Sequence, residues 1–122
     1  MAVFSKASKE KLRTVRGEFL TVCYQAIEIT DFSVLYGFRD NALQDKLFKD
    51  GKSQLRGGQS KHNIWPSEAV DLAPYPIDWN DLERFHFLAG VILGLAKCYG
   101  YKIEWGGNWS SFKDYCHFQL ET

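Results

Sequence analysis

Three residues with metal-binding side chains stand out by type and setting: His62 in Ser60-Lys61-His62, Asp71 in Ala69-Val70-Asp71, and His117 in Asp114-Tyr115-Cys116-His117. Two imidazoles and a carboxylate would satisfy a catalytic zinc, which takes three protein ligands and keeps one position open for water. His62 and His117 would bind as neutral imidazoles, each oriented by a hydrogen bond at its other ring nitrogen. Asp114 stands three residues before His117, where a second carboxylate could serve as a general base. Zinc acidifies water and polarises a carbonyl, while a carboxylate takes a proton during attack on an amide and returns it to the leaving amine. The chemistry this set would do is hydrolysis at one zinc ion per chain.

Asp71 carries the best argument from residues alone. Residues 69–73 are apolar apart from it and read as a buried strand. A bare buried carboxylate is very costly, so Asp71 needs a metal or a cationic partner, and the residues leave both open. For Asp114 the ordinary alternative is a solvated turn residue. His86, between Phe85 and Phe87, reads as structural or surface. Cys116 neighbours His117 on an expected strand, and neighbours on a strand point to opposite faces, so Cys116 should turn away from the metal. Trp105 and Trp109 either wall the cleft or pack.

Elements must bring these residues together. Leu12, Val15, Phe19, Val22, Cys23 and Ala26 follow helical spacing and predict one amphipathic helix over about 8–29, with Ser8 as N-cap and Gly17 inside it at about 1 kcal/mol against alanine. Residues 31–36 read as a short strand punctuated by Gly37, and 41–49 as a helix closed by Asp50-Gly51. A polar, glycine-rich loop over 51–59 delivers Ser60 and His62, and a second loop over 63–68 leads to the strand at 69–73. Leu82, Phe85, Leu88, Ile92, Leu95 and Tyr99 form another apolar stripe, a helix starting after Asp78 or Asn80 and stopping at Gly100. Residues 101–105 and 116–120 read as strands joined by the Gly106-Gly107-Asn108 turn. Helices beside a small, mostly antiparallel sheet make an α+β fold.

The chain of 122 residues suits one domain, 1–122. Lys+Arg and Asp+Glu are both 15, so the zero formal charge offers no electrostatic case for nucleic acid or an anionic membrane. Cys23, Cys98 and Cys116 form no C-x-x-C pair, and three cysteines argue against a complete disulfide framework and for synthesis in a reducing cytosol. Residues 1–16 lack the apolar core of a secretory signal, and the apolar run over 85–96 is too short to span a bilayer.

The motifs Ser60-x-His62, Ala69-x-Asp71 and Asp114-x-x-His117 resemble the S-x-H, A-x-D and D/E-x-x-H signature of the phage endolysin peptidases in the D-Ala-D-Ala metallopeptidase group. These are zinc enzymes that include L-alanyl-D-glutamate endopeptidases and D,D-carboxypeptidases. The resemblance runs almost end to end, through Phe4-Ser5, the 34–39 segment, Gln44, Gly51-Lys52-Ser53, Pro74-Tyr75-Pro76, Trp105-Gly106-Gly107, Trp109 and His117-Phe118-Gln119-Leu120. It implies a Hedgehog/DD-peptidase-like fold, His62, Asp71 and His117 as zinc ligands, and Asp114 as the base. It also implies that Arg39 lies near the zinc, to steady an oxyanion or grip a substrate carboxylate. Gln44, Ser60, Trp105, Asn108 and Trp109 would support the site or contact substrate.

The chain departs from the family pattern in three places. The loop from His62 to Asp71 is longer than the shortest family form S-x-H-x-x-G-x-A-x-D. Asn108 stands where many relatives have Asp, and Cys116 where many have Pro. None of these removes a proposed ligand.

The activity implied is cleavage of the peptidoglycan stem peptide between L-alanine and D-glutamate. Such an enzyme would be a monomer made in the host cytoplasm, acting on the wall after release, with no membrane insertion of its own. A D,D-carboxypeptidase removing terminal D-alanine would use the same chemistry. A zinc-binding module that does not cut is the alternative from a different class, and an intact Asp114 argues against it.

Overall fold

A strand with no solvent-facing side organises the fold. In the computed structural model, which describes residues 2–121, β2 (Ala69–Pro74) is buried along its whole length. It pairs antiparallel with β1 (Phe32–Tyr36) on one side and with β4 (His117–Leu120) on the other. β4 also pairs antiparallel with β3 (Ile103–Trp105), giving the order β1-β2-β4-β3.

Side chains alternate between the faces of a strand, so the register sorts them. Val34, Val70, Leu72, Ile103, Trp105, Phe118 and Leu120 belong to the hydrophobic core. Asp71, His117, Gln119 and Glu104 fall on the opposite face. His117 is the register partner of Asp71, and Glu104 that of Gln119.

Two helices close the core. α2 (Gly17–Ala26) buries Phe19, Val22, Cys23 and Ala26. α4 (Leu82–Tyr99) buries Phe85, Leu88, Ala89, Ile92 and Ala96. Both sets recur at helical spacing, and each large apolar side chain so buried contributes about 1.5–3 kcal/mol. Gly100 ends α4 at φ 73°, the left-handed cap that glycine takes without strain. α3 (Asn41–Lys49) has the predicted bounds, with the Asp40 side chain accepting from Leu43 N at 2.8 Å. Among the described residues no helix is long and apolar enough to cross a membrane.

The single helix expected over 8–29 is two. α1 (Lys6–Leu12) is capped by Ser5, whose Oγ accepts from Ser8 N at 3.1 Å. Ser8 is therefore no cap. It is buried and its Oγ accepts from Val34 N at 3.0 Å, tying α1 to β1. Between the helices Val15 bridges Ser67, with Ser67 N donating to Thr14 O at 2.7 Å and Arg16 N to Ser67 O at 3.0 Å. The backbone there bonds a distant loop, and Gly17 opens α2 instead of weakening it. Leu12, Val15 and Phe19 all stay in the core, so the apolar period runs through the break and hides it. The end strands are also shorter than expected, and Cys116 lies in a turn before β4.

Candidate metal centre

His62 is placed by a 3-10 turn, Lys61–Asn63, that its own sequence caps. Ser60 Oγ accepts from His62 N and Asn63 Oδ1 accepts from Ser60 N, both at 3.1 Å. The turn is tied to the segment after β1, where Arg39 N donates to His62 O at 2.8 Å and Asn63 Nδ2 to Arg39 O at 2.9 Å. His62 Nδ1 lies 2.7 Å from Gly37 O. A carbonyl only accepts, so Nδ1 carries the hydrogen and Nε2 of the neutral ring is bare. Residue 37 also lies against the end of α1, where a Cβ would stand 2.3 Å from Thr14 Oγ1 and 2.7 Å from Lys11 O, so glycine permits the position from which its carbonyl meets His62.

Asp71 and His117 are placed by the sheet register. Asp71 Oδ1 lies 3.2 Å from His62 Nε2 and 3.0 Å from His117 Nδ1. His117 Nε2 lies 2.8 Å from Gln119 Oε1, and Gln119 Nε2 donates to Glu104 Oε1. The three candidate ligand atoms lie within 4.8 Å of one another, on residues that are 1%, 4% and 8% exposed in chain order. With both outer ring nitrogens donating to oxygens, the inner nitrogens of neutral rings have lone pairs only. Two lone pairs and a carboxylate oxygen then converge out of water, an arrangement that calls for a cation. A proton on a ring or a metal ion meets that need, and the donor set and its outer hydrogen bonds match a zinc site.

The electrostatics agree. Burial works against the Asp71 charge, but the charges and hydrogen bonds of His62 and His117 outweigh it and hold the carboxyl well below the usual range. Burial likewise works against a charged His117. The hydrogen bond and charge of Asp71, with Gln119 and Asp114, outweigh it and raise the pKa above the ordinary value.

Arg39 answers the question Asp71 posed. Its NH2 donates to Asp71 Oδ2 at 2.6 Å, its NH1 donates to Gln44 Oε1 at 3.1 Å, and the guanidinium lies 4.2 Å from the centre of the Tyr36 ring. One Asp71 oxygen thus has a cationic partner while the other faces the imidazoles. Arg39 Nε is buried and without a partner among the described residues. Gln44 is fully buried, donating to Ser53 Oγ and Leu55 O at 2.8 Å each, and so anchors Arg39.

Asp114 is half-buried in the turn before β4, its N donating to Gly106 O at 3.1 Å and its O accepting from His117 N at 3.2 Å. A Cβ on Gly106 would stand 2.4 Å from Asp114 O, so glycine permits this approach. The expectation that Cys116 turns away rested on strand alternation, which does not reach it. Its thiol donates to Asp114 Oδ1 at 3.2 Å. Burial and the charges of Asp71 and Asp114 raise the thiol pKa far above its usual value.

The remaining candidates separate. Trp109 stands beside the centre, its ring 5.3 Å from that of His117. Asn108 is exposed at the end of the 3-10 turn Gly106–Asn108. Trp105 lies instead on the core face, 4% exposed, with Nε1 donating to Tyr115 O at 2.8 Å. Alternation from Glu104 places it there. Sequence reasoning missed Gly37 O, Gln119 and Glu104 as outer partners. The spacing His117-x-Gln119 puts both on one strand face and could have shown the second, whereas Glu104 needed the register.

Fold and centre together define a small α+β protein with a buried His-Asp-His group able to hold a metal ion. The chain belongs to the phage L-alanyl-D-glutamate peptidase family, whose model matches residues 1–120. It is 35% identical over 118 residues to the L-alanyl-D-glutamate peptidase of Escherichia phage T5, covering 92% of this chain and 85% of that one. It is 33% identical over 105 residues to the peptidoglycan L-alanyl-D-glutamate endopeptidase CwlK of Bacillus subtilis (strain 168), covering 74% of this chain and 60% of CwlK. The crystal structure of the Serratia marcescens L-Ala D-Glu endopeptidase ChiX superposes with a TM-score of 0.83 at 32% identity, covering 97% of this chain and 89% of that one.

Proposed function

We propose that this chain is a zinc-dependent peptidoglycan endopeptidase that hydrolyses the L-alanyl-D-glutamate bond of the stem peptide. The observation that carries this reading is the convergence of His62 Nε2, Asp71 Oδ1 and His117 Nδ1, each on a side chain whose other polar atom is held by an outer partner. Zinc held by these three atoms would supply Lewis acidity, polarising the amide carbonyl and acidifying water.

The protein's own groups do the rest. Cys116 occupies Asp114 Oδ1, so Asp114 Oδ2 is the oxygen we assign to proton transfer, taking a proton during attack and returning it to the leaving amine. Arg39 orients Asp71 through its bond to Oδ2, and the edge of its guanidinium that faces the centre is the group we assign to an oxygen of the substrate or of the developing oxyanion. Ser60 and Gln44 support His62 and Arg39. Trp109, whose ring lies against that of His117, and the exposed Asn108 beside it are the residues we assign to substrate contact, and Trp105 steadies the turn that carries Asp114 through its bond to Tyr115 O.

We further propose that residues 1–122 form one catalytic domain, acting as a monomer on the bacterial wall after synthesis in the host cytoplasm. The test is incubation of zinc-loaded protein with purified peptidoglycan, products read by mass spectrometry, and His117→Ala as control. New L-Ala and D-Glu ends made only by wild type are expected. Release of terminal D-alanine would replace the reading with a D,D-carboxypeptidase, and intact peptidoglycan with zinc bound would replace it with a binding module.

A further inference from the structure

Which nitrogen His117 offers to a metal is decided by residues that lie beyond the ring. We infer that Glu104, acting through the side-chain amide of Gln119, fixes the ring tautomer of His117 and thereby raises the affinity of the centre for its metal. This rests on the zinc reading above.

Glu104 on β3 and Gln119 on β4 are cross-strand partners, both half-buried. An ionised carboxylate only accepts, while a glutamine amide has donors at one end and an acceptor at the other. The end that meets Glu104 must be the NH2 group, as the contact of Gln119 Nε2 with Glu104 Oε1 has it. That turns Gln119 Oε1 to His117 Nε2, 2.8 Å away. An acceptor there requires the hydrogen on Nε2. A neutral imidazole has a single N–H, so Nδ1 is left with its lone pair 3.0 Å from Asp71 Oδ1, among the ligand atoms.

Reversing the amide would set two acceptors against each other at Glu104. It would also favour a hydrogen on His117 Nδ1, where the metal must bind. The charge of Glu104 therefore selects the metal-competent tautomer from the far side of a two-residue chain. His62 needs no such device, because a backbone carbonyl cannot reverse its polarity.

Zinc affinity measured by chelator competition tests this on wild type, Glu104→Gln, Gln119→Ala and the double exchange Glu104→Gln/Gln119→Glu. Outer partners of metal-bound histidines are worth about 10–100-fold in affinity, so each single variant should weaken zinc binding at least about 10-fold. The double exchange returns a carboxylate acceptor to His117 and supplies a donor at position 104, so it should recover most of that loss. Imidazole 15N spectra of the metal-free protein, at a pH where the ring is neutral, should show hydrogen on His117 Nε2 in wild type and a tautomer mixture in Glu104→Gln. Zinc-loaded wild type whose single variants bind within about twofold of it, or a wild-type ring protonated on Nδ1, overturns the relay alone. Wild type that takes up no zinc overturns the metal centre itself.

Discussion

The two imidazoles of the centre are held in opposite ways. His62 sits on a capped turn, and its outer nitrogen bonds a backbone carbonyl, Gly37 O. His117 sits on a strand, and its outer nitrogen bonds a side chain that leans on another, Gln119 on Glu104. Backbone support needs no particular residue type except where the chains approach, hence the glycine. Side-chain support needs two residue types in one register across β3 and β4. The first arrangement is robust to substitution but intolerant of crowding. The second is tunable.

Removing either ring is the harshest test. His62→Ala or His117→Ala should abolish stoichiometric zinc and cleavage alike, and full zinc in either purified variant, by elemental analysis, would refute the ligand assignment. Asp114→Asn should separate chemistry from binding, keeping zinc and the melting temperature while turnover falls about 10²–10⁴-fold. Turnover near that of wild type would remove Asp114 from the role of base.

Gly37→Ala sharpens the contrast between the two supports. Its Cβ would crowd Thr14 Oγ1, so thermal denaturation of the metal-free variant should show a loss of about 1–3 kcal/mol, with weaker zinc binding besides. Glu104→Gln should weaken zinc without a comparable loss of metal-free stability. Equal losses of stability in both would erase the distinction.

The smallest effect is a pH dependence. In the metal-free fold His117 is held above 6.5. Its protonation therefore stabilises that fold fully below 6.5, and this contribution is lost as pH rises through the raised value. Asp71 is held far below 3.8, so its contribution is present above 3.8 and lost only in stronger acid. Zinc requires the neutral ring. The gap in Tm between zinc-bound and zinc-free protein should widen as pH rises from about 6 to 8, and a gap that narrows there would contradict the shared role of His117.

Much of this was legible beforehand, for identifiable reasons. The end of α3 and the end of α4 follow from Asp50-Gly51 and Gly100, whose effects are local. The buried strand around Asp71 follows from an apolar run with one charge in it, and that charge announced its need for a partner. The break between α1 and α2 was not legible, because Leu12, Val15 and Phe19 keep one helical period while the intervening backbone bonds Ser67. Cys116 stands outside the candidate ligand group, but strand alternation is not the reason, because β4 begins one residue later than expected and the thiol bonds Asp114 Oδ1.

Residue types and spacing by themselves determined the α+β class, the family resemblance and the three candidate ligands, since apolar period, turn residues and the needs of a buried charge are properties of short stretches. Only the tertiary structure decided which oxygen of Asp71 meets Arg39 and which nitrogen of each imidazole faces inward. It also decided that Glu104 stands behind His117 and that Trp105 does not face the site. Those facts depend on register and on approaches between distant segments, and a hydrogen bond goes to whichever partner the fold brings within reach.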